Sequence, residues 1–160
     1  MFTIRFGPAI SGATGDAVSI LSSDHRLIEQ SFVNYYQEPL ESEWHRLARL
    51  ATSRLKLHME IEEEVFYPAF LRATARTEKH HDSMVEHEAA KKLIEDIQNS
   101  DPGDEYFESM MRILWKMVKA HMSEEEQPGG MFEEARQSTM DLFALGEQLS
   151  LKKEELAETD

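Results

Sequence analysis

The sequence predicts an all-α protein, built as an up-down-up-down four-helix bundle with a short additional C-terminal helix. Three observations carry that expectation. Apolar residues recur at steps of three and four along four long stretches, and no run alternates with the period of two that marks a strand. Short breaks rich in Pro and Gly separate the stretches, so sequence neighbours should run antiparallel. The chain has 160 residues, enough for one domain with a real core.

The opening is mildly apolar, but Gly7 and Pro8 interrupt it, and Ser11-Gly-Ala-Thr-Gly15 follows. Residues 1–15 therefore read as a flexible tail rather than a signal peptide, with the bundle domain over 16–155. The first helix should start near Asp16 and present Leu21, His25, Ile28 and Phe32 on one stripe. It should stop before Pro39, because Pro disfavours helix in the residue preceding it.

A second helix is expected from about Ser42 to Arg72, with Leu47, Ala51, Leu55, His58, Glu62 and Val65 on its stripe and a kink at Pro68. Thr77 reads as the N-cap of the third helix, which carries His80, His87, Ala90, Ile94 and Ile97 on one side. The break Asn99 to Gly103 precedes a fourth helix that carries Phe107, Met111, Leu114, Val118 and His121. After Gln127-Pro-Gly-Gly130, one shorter amphipathic helix is expected through Phe132, Ala135, Leu142, Leu145 and Leu149, with a fraying Lys- and Glu-rich end.

Composition narrows the function. The formal net charge is −14, from 31 acidic and 17 basic residues. Such a surface repels nucleic acid and anionic membrane, while acidity around a bound cation would be partly offset. No apolar run approaches the ~20 residues a membrane span needs. Cys is absent, which removes disulfides and thiolate ligands and fits a reducing compartment such as the cytoplasm.

Two segments carry the same pattern, His58-Met-Glu-Ile-Glu62 and His121-Met-Ser-Glu-Glu125. Four residues apart on a helix, an imidazole and a carboxylate share a face. Acidic residues fill roughly one position in five, so chance alone supplies one or two such pairs; His25 with Glu29 reads as the accidental one. Position is the better evidence. His25, His58, His87 and His121 each continue an apolar stripe, and they are spaced 33, 29 and 34 residues apart, one per helix.

Glu62 and Glu125 fall on the same inward faces. A bare carboxylate in a core costs several kcal/mol unless paired or metal-bound. Arg54 is the only nearby cation to pair with them. A bundle with satisfied core histidines and a solvated acidic surface is the plainer alternative. Four inward His with two inward Glu weigh against it, and suit a pair of first-row metal ions, iron best of all. The simplest site closes with the two carboxylates as bridges. His45 lies on the opposite face and reads as surface; His80 and His81 fit the exposed start of the third helix better than ligation.

These residues resemble the hemerythrin-like, or HHE cation-binding, family over roughly Asp16 to Arg136. The matching pieces are Ser23-Asp24-His25, His58-Met-Glu-Ile-Glu-Glu-Glu-Val-Phe-Tyr-Pro68, Val85-Glu-His-Glu-Ala-Ala-Lys-Lys-Leu-Ile94 and His121-Met-Ser-Glu-Glu-Glu126, in that order. The resemblance implies two iron ions with an oxo or hydroxo bridge. His25 and His58 would bind one, His87 and His121 the other, and Glu62 and Glu125 would bridge them.

Two departures stand out. Oxygen carriers of the family have a fifth His one turn before the third-helix ligand, where this chain has Ser83 beside Met84. One iron then has a lighter His shell, open to water, another side chain or an exogenous ligand. Members often continue the last motif into Phe-Pro, where this chain has Pro128-Gly-Gly-Met-Phe-Glu133.

The implied function is a non-haem di-iron protein that binds O2, peroxide or nitric oxide in the bundle core, in oxidative or nitrosative stress response. Catalase- or peroxidase-like turnover and O2 reduction stay open beside carriage. Iron handling, or sensing without turnover, is the alternative. Nothing in the sequence resembles an organic substrate pocket. A ferritin-like site would need Glu-x-x-His pairs, but Ser22, Leu55, Met84 and Val118 stand three residues before the four His. A closed four-ligand zinc site would leave two inward ligands unused.

Overall fold

The computed structural model describes residues 15–159, and every regular element among them is helical. The expectation of a tail over 1–15 lies almost wholly outside the described residues. Helix α1 spans Ala17–Gln37, with Asp16 as its N-cap accepting from the Ser19 amide at 2.9 Å. Helix α2 spans Glu41–Ile61, α4 Thr77–Gln98 and α5 Phe107–Glu126. Helix α1 packs on α2, α4 on α5, α2 against α4, and α1 against α5, which makes a helical bundle.

Three boundaries differ from the sequence expectation. The stretch after α2 stays helical past Pro68. It continues through a π-helical turn, Glu62–Phe66, into α3, Tyr67–Thr74. The wide turn absorbs one extra residue, and Pro68 falls in the first turn of α3, where no amide is required. Thr77 is the first residue of α4 rather than its cap; Arg76 precedes it and no side chain caps that end. The single C-terminal helix is in fact two, α6 over Met131–Gln137 and α7 over Leu142–Ala157, separated where Asp141 caps α7 by accepting from the Ala144 amide.

The core falls into two apolar clusters. One is built around Phe32, Leu55, Ile94, Met111 and Leu114 of the four long helices. The other gathers Leu21, Ile61, Phe66 and Phe70 with Phe132 of α6 and Leu149 of α7. The inward His and Glu residues lie along the chain where one cluster gives way to the other. Helices α6 and α7 therefore close the end of the bundle that the acidic motifs occupy. The tight turn into α6 depends on Gly129 at φ +77° and on Gly130, where a Cβ would meet the carbonyl oxygens of Glu124, Glu125 and Gln127 at 2.8 Å or less.

Candidate metal centre

Each of the four long helices brings one imidazole to this boundary. His25, His58, Glu62, His87 and Glu125 are buried, and the His121 side chain is 11% exposed. The ligand atoms of His25, His58, Glu62 and Glu125 lie within 4.8 Å of one another, as do those of Glu62, His87 and His121. The structure thus brings all six predicted residues together.

The imidazoles form two pairs, His25 with His58 and His87 with His121, each with its Nε2 atoms 3.1 Å apart. Two cis nitrogens bound at about 2.1 Å to one ion stand about 3 Å apart, so each pair suits one cation. Both carboxylates reach both pairs. Glu62 turns Oε1 to His58 Nε2 at 2.9 Å and Oε2 to His87 Nε2 at 3.3 Å. Glu125 turns Oε2 to His25 Nε2 and Oε1 to His121 Nε2, each at 3.3 Å.

An outer shell of carboxylates holds the imidazoles by their other nitrogen. His25 Nδ1 meets Glu126 at 2.5 Å, His58 Nδ1 meets Asp24 at 3.4 Å, His87 Nδ1 meets Glu63 at 2.9 Å, and His121 Nδ1 meets Glu86 at 2.5 Å. As Nδ1–H donors these rings keep Nε2 free for the centre. Three of the outer acids are anchored in turn: Glu126 by Arg26, Asp24 by Lys153 of α7, and Glu63 by Lys91.

The arrangement repeats. Asp24 precedes His25 and holds His58; Glu86 precedes His87 and holds His121. Glu63 follows Glu62 and holds His87; Glu126 follows Glu125 and holds His25.

Tyr67 breaks the repeat. Its hydroxyl stands 2.9 Å from Glu62 Oε2, 2.7 Å from Glu125 Oε1, 3.1 Å from His87 Nε2 and 3.2 Å from His121 Nε2. The position five residues after Glu125 is Gly130, so the other half of the chain supplies no equivalent. The π-helical turn is what aims Tyr67 here. On an α-helix, five residues would leave it about 140° from Glu62. Ser83 is buried and makes no hydrogen bond to the imidazoles; the side chain that reaches the His87–His121 pair is the Tyr67 phenol, from another helix.

The electrostatics follow from burial against pairing. Burial opposes charge on His25, but hydrogen bonding and attraction from Glu125 and Glu62 prevail and lift its pKa to about 10. His58 and His87 are raised and His121 is raised well above its ordinary value, burial again being outweighed by Glu62 and Glu125. Burial and the Glu62 charge resist ionisation of Glu125, but His121 and His25 bring it down to about 2. Burial also opposes ionisation of Glu62, which His58 nevertheless holds well below the carboxylate range. Burial and the two carboxylates push Tyr67 well above 10. Without metal the cluster is held by imidazolium–carboxylate pairs, and a cation would displace those protons.

The remaining candidates lie elsewhere. Glu29 pairs with Arg26 at the surface, and Arg54 donates to Ser31 Oγ at 2.7 Å. His45 lines a surface cleft with Glu41 and Trp44, and His81 is exposed. His80 stands edge-on to Tyr67 with its Nδ1 buried and unpartnered, outside both ligand groups.

Two cavities reach the cluster. A polar cleft of about 360 Å³ between α4 and the turn after α5 arrives at His121 and Glu125. An apolar cavity of about 210 Å³ among α2, α4 and α5 arrives at His58, His87 and His121. The sequence held no sign of this second space.

The donor set fits a metal. Glu62 Oε1 and Glu125 Oε2 are buried with no partner other than the Nε2 atoms of the His25–His58 pair that they face. Two buried carboxylate oxygens converging with two imidazole nitrogens match a first-row cation, and the N/O donors lack the thiolates that favour softer ions.

Comparison with known proteins agrees. The family model for the hemerythrin HHE cation binding domain matches residues 16–128. A crystal structure of a hemerythrin HHE cation binding domain-containing protein from Mycobacterium kansasii superposes with a TM-score of 0.68 at 19% identity, covering 88% of this chain and 86% of that one. No curated protein sequence matches. With the family match covering most of the chain and both motifs, the protein belongs to the hemerythrin HHE cation-binding family.

Proposed function

We propose that the cluster holds two iron ions, one at His25 and His58 and one at His87 and His121, with Glu62 and Glu125 shared between them. We take the protein to bind O2, peroxide or nitric oxide at this centre, in the response to oxidative or nitrosative stress. The observation that carries this reading is the reach of both carboxylates to both imidazole pairs, with two of their oxygens facing nothing but imidazole nitrogen. The same reading takes 16–155 as one cytoplasmic domain whose four long helices alternate up and down.

Bound iron supplies the electrons for chemistry on small oxidants. The chain's own residues do the rest. The outer acids fix the tautomer and direction of each ring. Phe132 stacks on His25 at 5.4 Å between centroids and keeps water from that pair. The Tyr67 hydroxyl stands among the donors of the second pair, where it serves as an oxygen donor or gives its proton to a bound ligand. The polar cleft admits water and peroxide to His121 and Glu125.

Anaerobic purification, metal analysis and absorption spectra before and after O2 and then peroxide test the proposal. About two irons per chain and a new oxo-bridged charge-transfer band are expected. Catalytic loss of peroxide with release of O2 marks turnover; an oxy spectrum reversed by removing O2 marks carriage or sensing. No iron and no response after ferrous reconstitution would falsify it.

A further inference from the structure

The apolar cavity among α2, α4 and α5 is larger than a diatomic ligand requires. Its walls are Leu55, Met59, Ala90, Met117, Val118 and Met122. Its floor is the edges of His58, His87 and His121, whose polar atoms are already engaged: each Nδ1 by an outer carboxylate and each Nε2 toward the shared carboxylates. Glu86 is the one carboxylate at the cavity, held by His121, and any charge on the three imidazoles is offset by the carboxylates that hold them.

An ordered water needs two to four polar partners, and these walls supply almost none. An engineered, enclosed cavity of about 150 Å³ with aliphatic walls takes up benzene or xenon; the space here is partly open to solvent past exposed Ala120 and half-buried Met117, which gives a ligand its way in. The present cavity, at about 210 Å³, has room for at least as much. Three flexible, polarizable Met side chains let it adapt to shape. The acidic Glu86 and the strongly negative chain both disfavour an anion.

We infer that this cavity binds an uncharged apolar organic molecule of about benzene's size and holds it against the edges of His58, His87 and His121. Binding depends on the cavity alone. That the molecule then lies beside iron rests on the proposed function. The protein would on this view take an organic ligand, or the apolar body of an organic peroxide, next to its metal centre.

The test uses the full chain, iron-free and iron-loaded, with benzene as probe and benzoate as its anionic counterpart. Calorimetric titration and thermal melts provide the readouts. Benzene should raise the melting temperature by about 2–5 °C near saturation, and benzoate should not. Ala90→Leu and Val118→Phe, which fill the cavity from different helices, should each abolish the shift while leaving bound iron per chain unchanged.

Should one variant fail to fold, the other decides, and xenon in pressurised crystals locates the site directly. No benzene response in the parent protein overturns the inference. So does an equal response to benzoate, or a response that survives the filling substitutions. A benzene response in a chain that takes up no iron would uphold the cavity and defeat the di-iron proposal; the reverse result would do the opposite.

Discussion

At the scale of single residues, the centre separates ligands from the groups that aim them. His58→Ala or His121→Ala should lower bound iron and, with it, thermal stability, since a metal held only by the native state stabilises that state. Unchanged iron per chain in both variants would remove the ligand assignment. His45→Ala should alter neither quantity. Tyr67→Phe deprives Glu62 Oε2 and Glu125 Oε1 of their shared donor. The metal-free protein should lose about 1–3 kcal/mol, read from the denaturant midpoint; an unchanged midpoint would mean that the phenol does not hold these oxygens.

Residue periodicity explains what was readable at this scale. The four imidazoles and two shared carboxylates each extend an apolar stripe, so their facing was legible. Asp24, Glu63, Glu86 and Glu126 were not, because an acid flanking a stripe in a chain with 31 acidic residues looks solvated. Their signal was present in the doubled pattern acid-His and His-x-x-x-Glu-Glu, which occurs once in each half of the chain.

At the scale of elements, two segments matter more than their sequences suggest. The π-helical turn at Glu62–Phe66 brings Tyr67 to the cluster, and a reading at 100° per residue turns that ring away. Helix α7 lies beyond the family match, yet Lys153 holds Asp24 at 2.5 Å, and Asp24 holds His58. Lys153→Met should destabilise the metal-free protein by about 1 kcal/mol, the partly exposed lysine limiting the loss. It should also speed iron loss to a chelator, with Lys153→Arg restoring retention. Equal chelation rates for Met, Arg and the parent would detach α7 from the centre. Neither the split of α6 from α7 nor this long-range pair was readable, since the pair joins residues 129 positions apart.

At the scale of the whole molecule, the buried cluster sets a pH dependence. His25 is raised from 6.5 to about 10, so its contribution is fully present below 6.5 and is lost as pH rises through 10. Glu125 is lowered from 4.5 to about 2, so its contribution is present above 4.5 and is lost as pH falls through 2. The metal-free protein should therefore be most stable between about pH 4.5 and 6.5 and weaken steadily toward 10. Iron loading should run the other way and strengthen with pH over that range, because the cation displaces imidazole protons. Melts across pH 4–10 with and without iron check both slopes. The helical-bundle class was legible from periodicity. The apolar cavity was not, because three helices form it jointly from residues that each look like ordinary packing.

The contrast between Tyr67 and Gly130 has a consequence for the order of events. One end of the centre presents two carboxylate oxygens that only imidazole nitrogens face, while at the other a hydroxyl already sits among the donors. On the proposed reading, the chain is then not indifferent to which ion arrives first. The His25–His58 end fills at low iron, and the second ion enters only as the phenol gives up its hydrogen bonds. Stepwise ferrous titration would show two unequal phases, with a singly loaded form between them whose remaining vacancy lies beside the phenol.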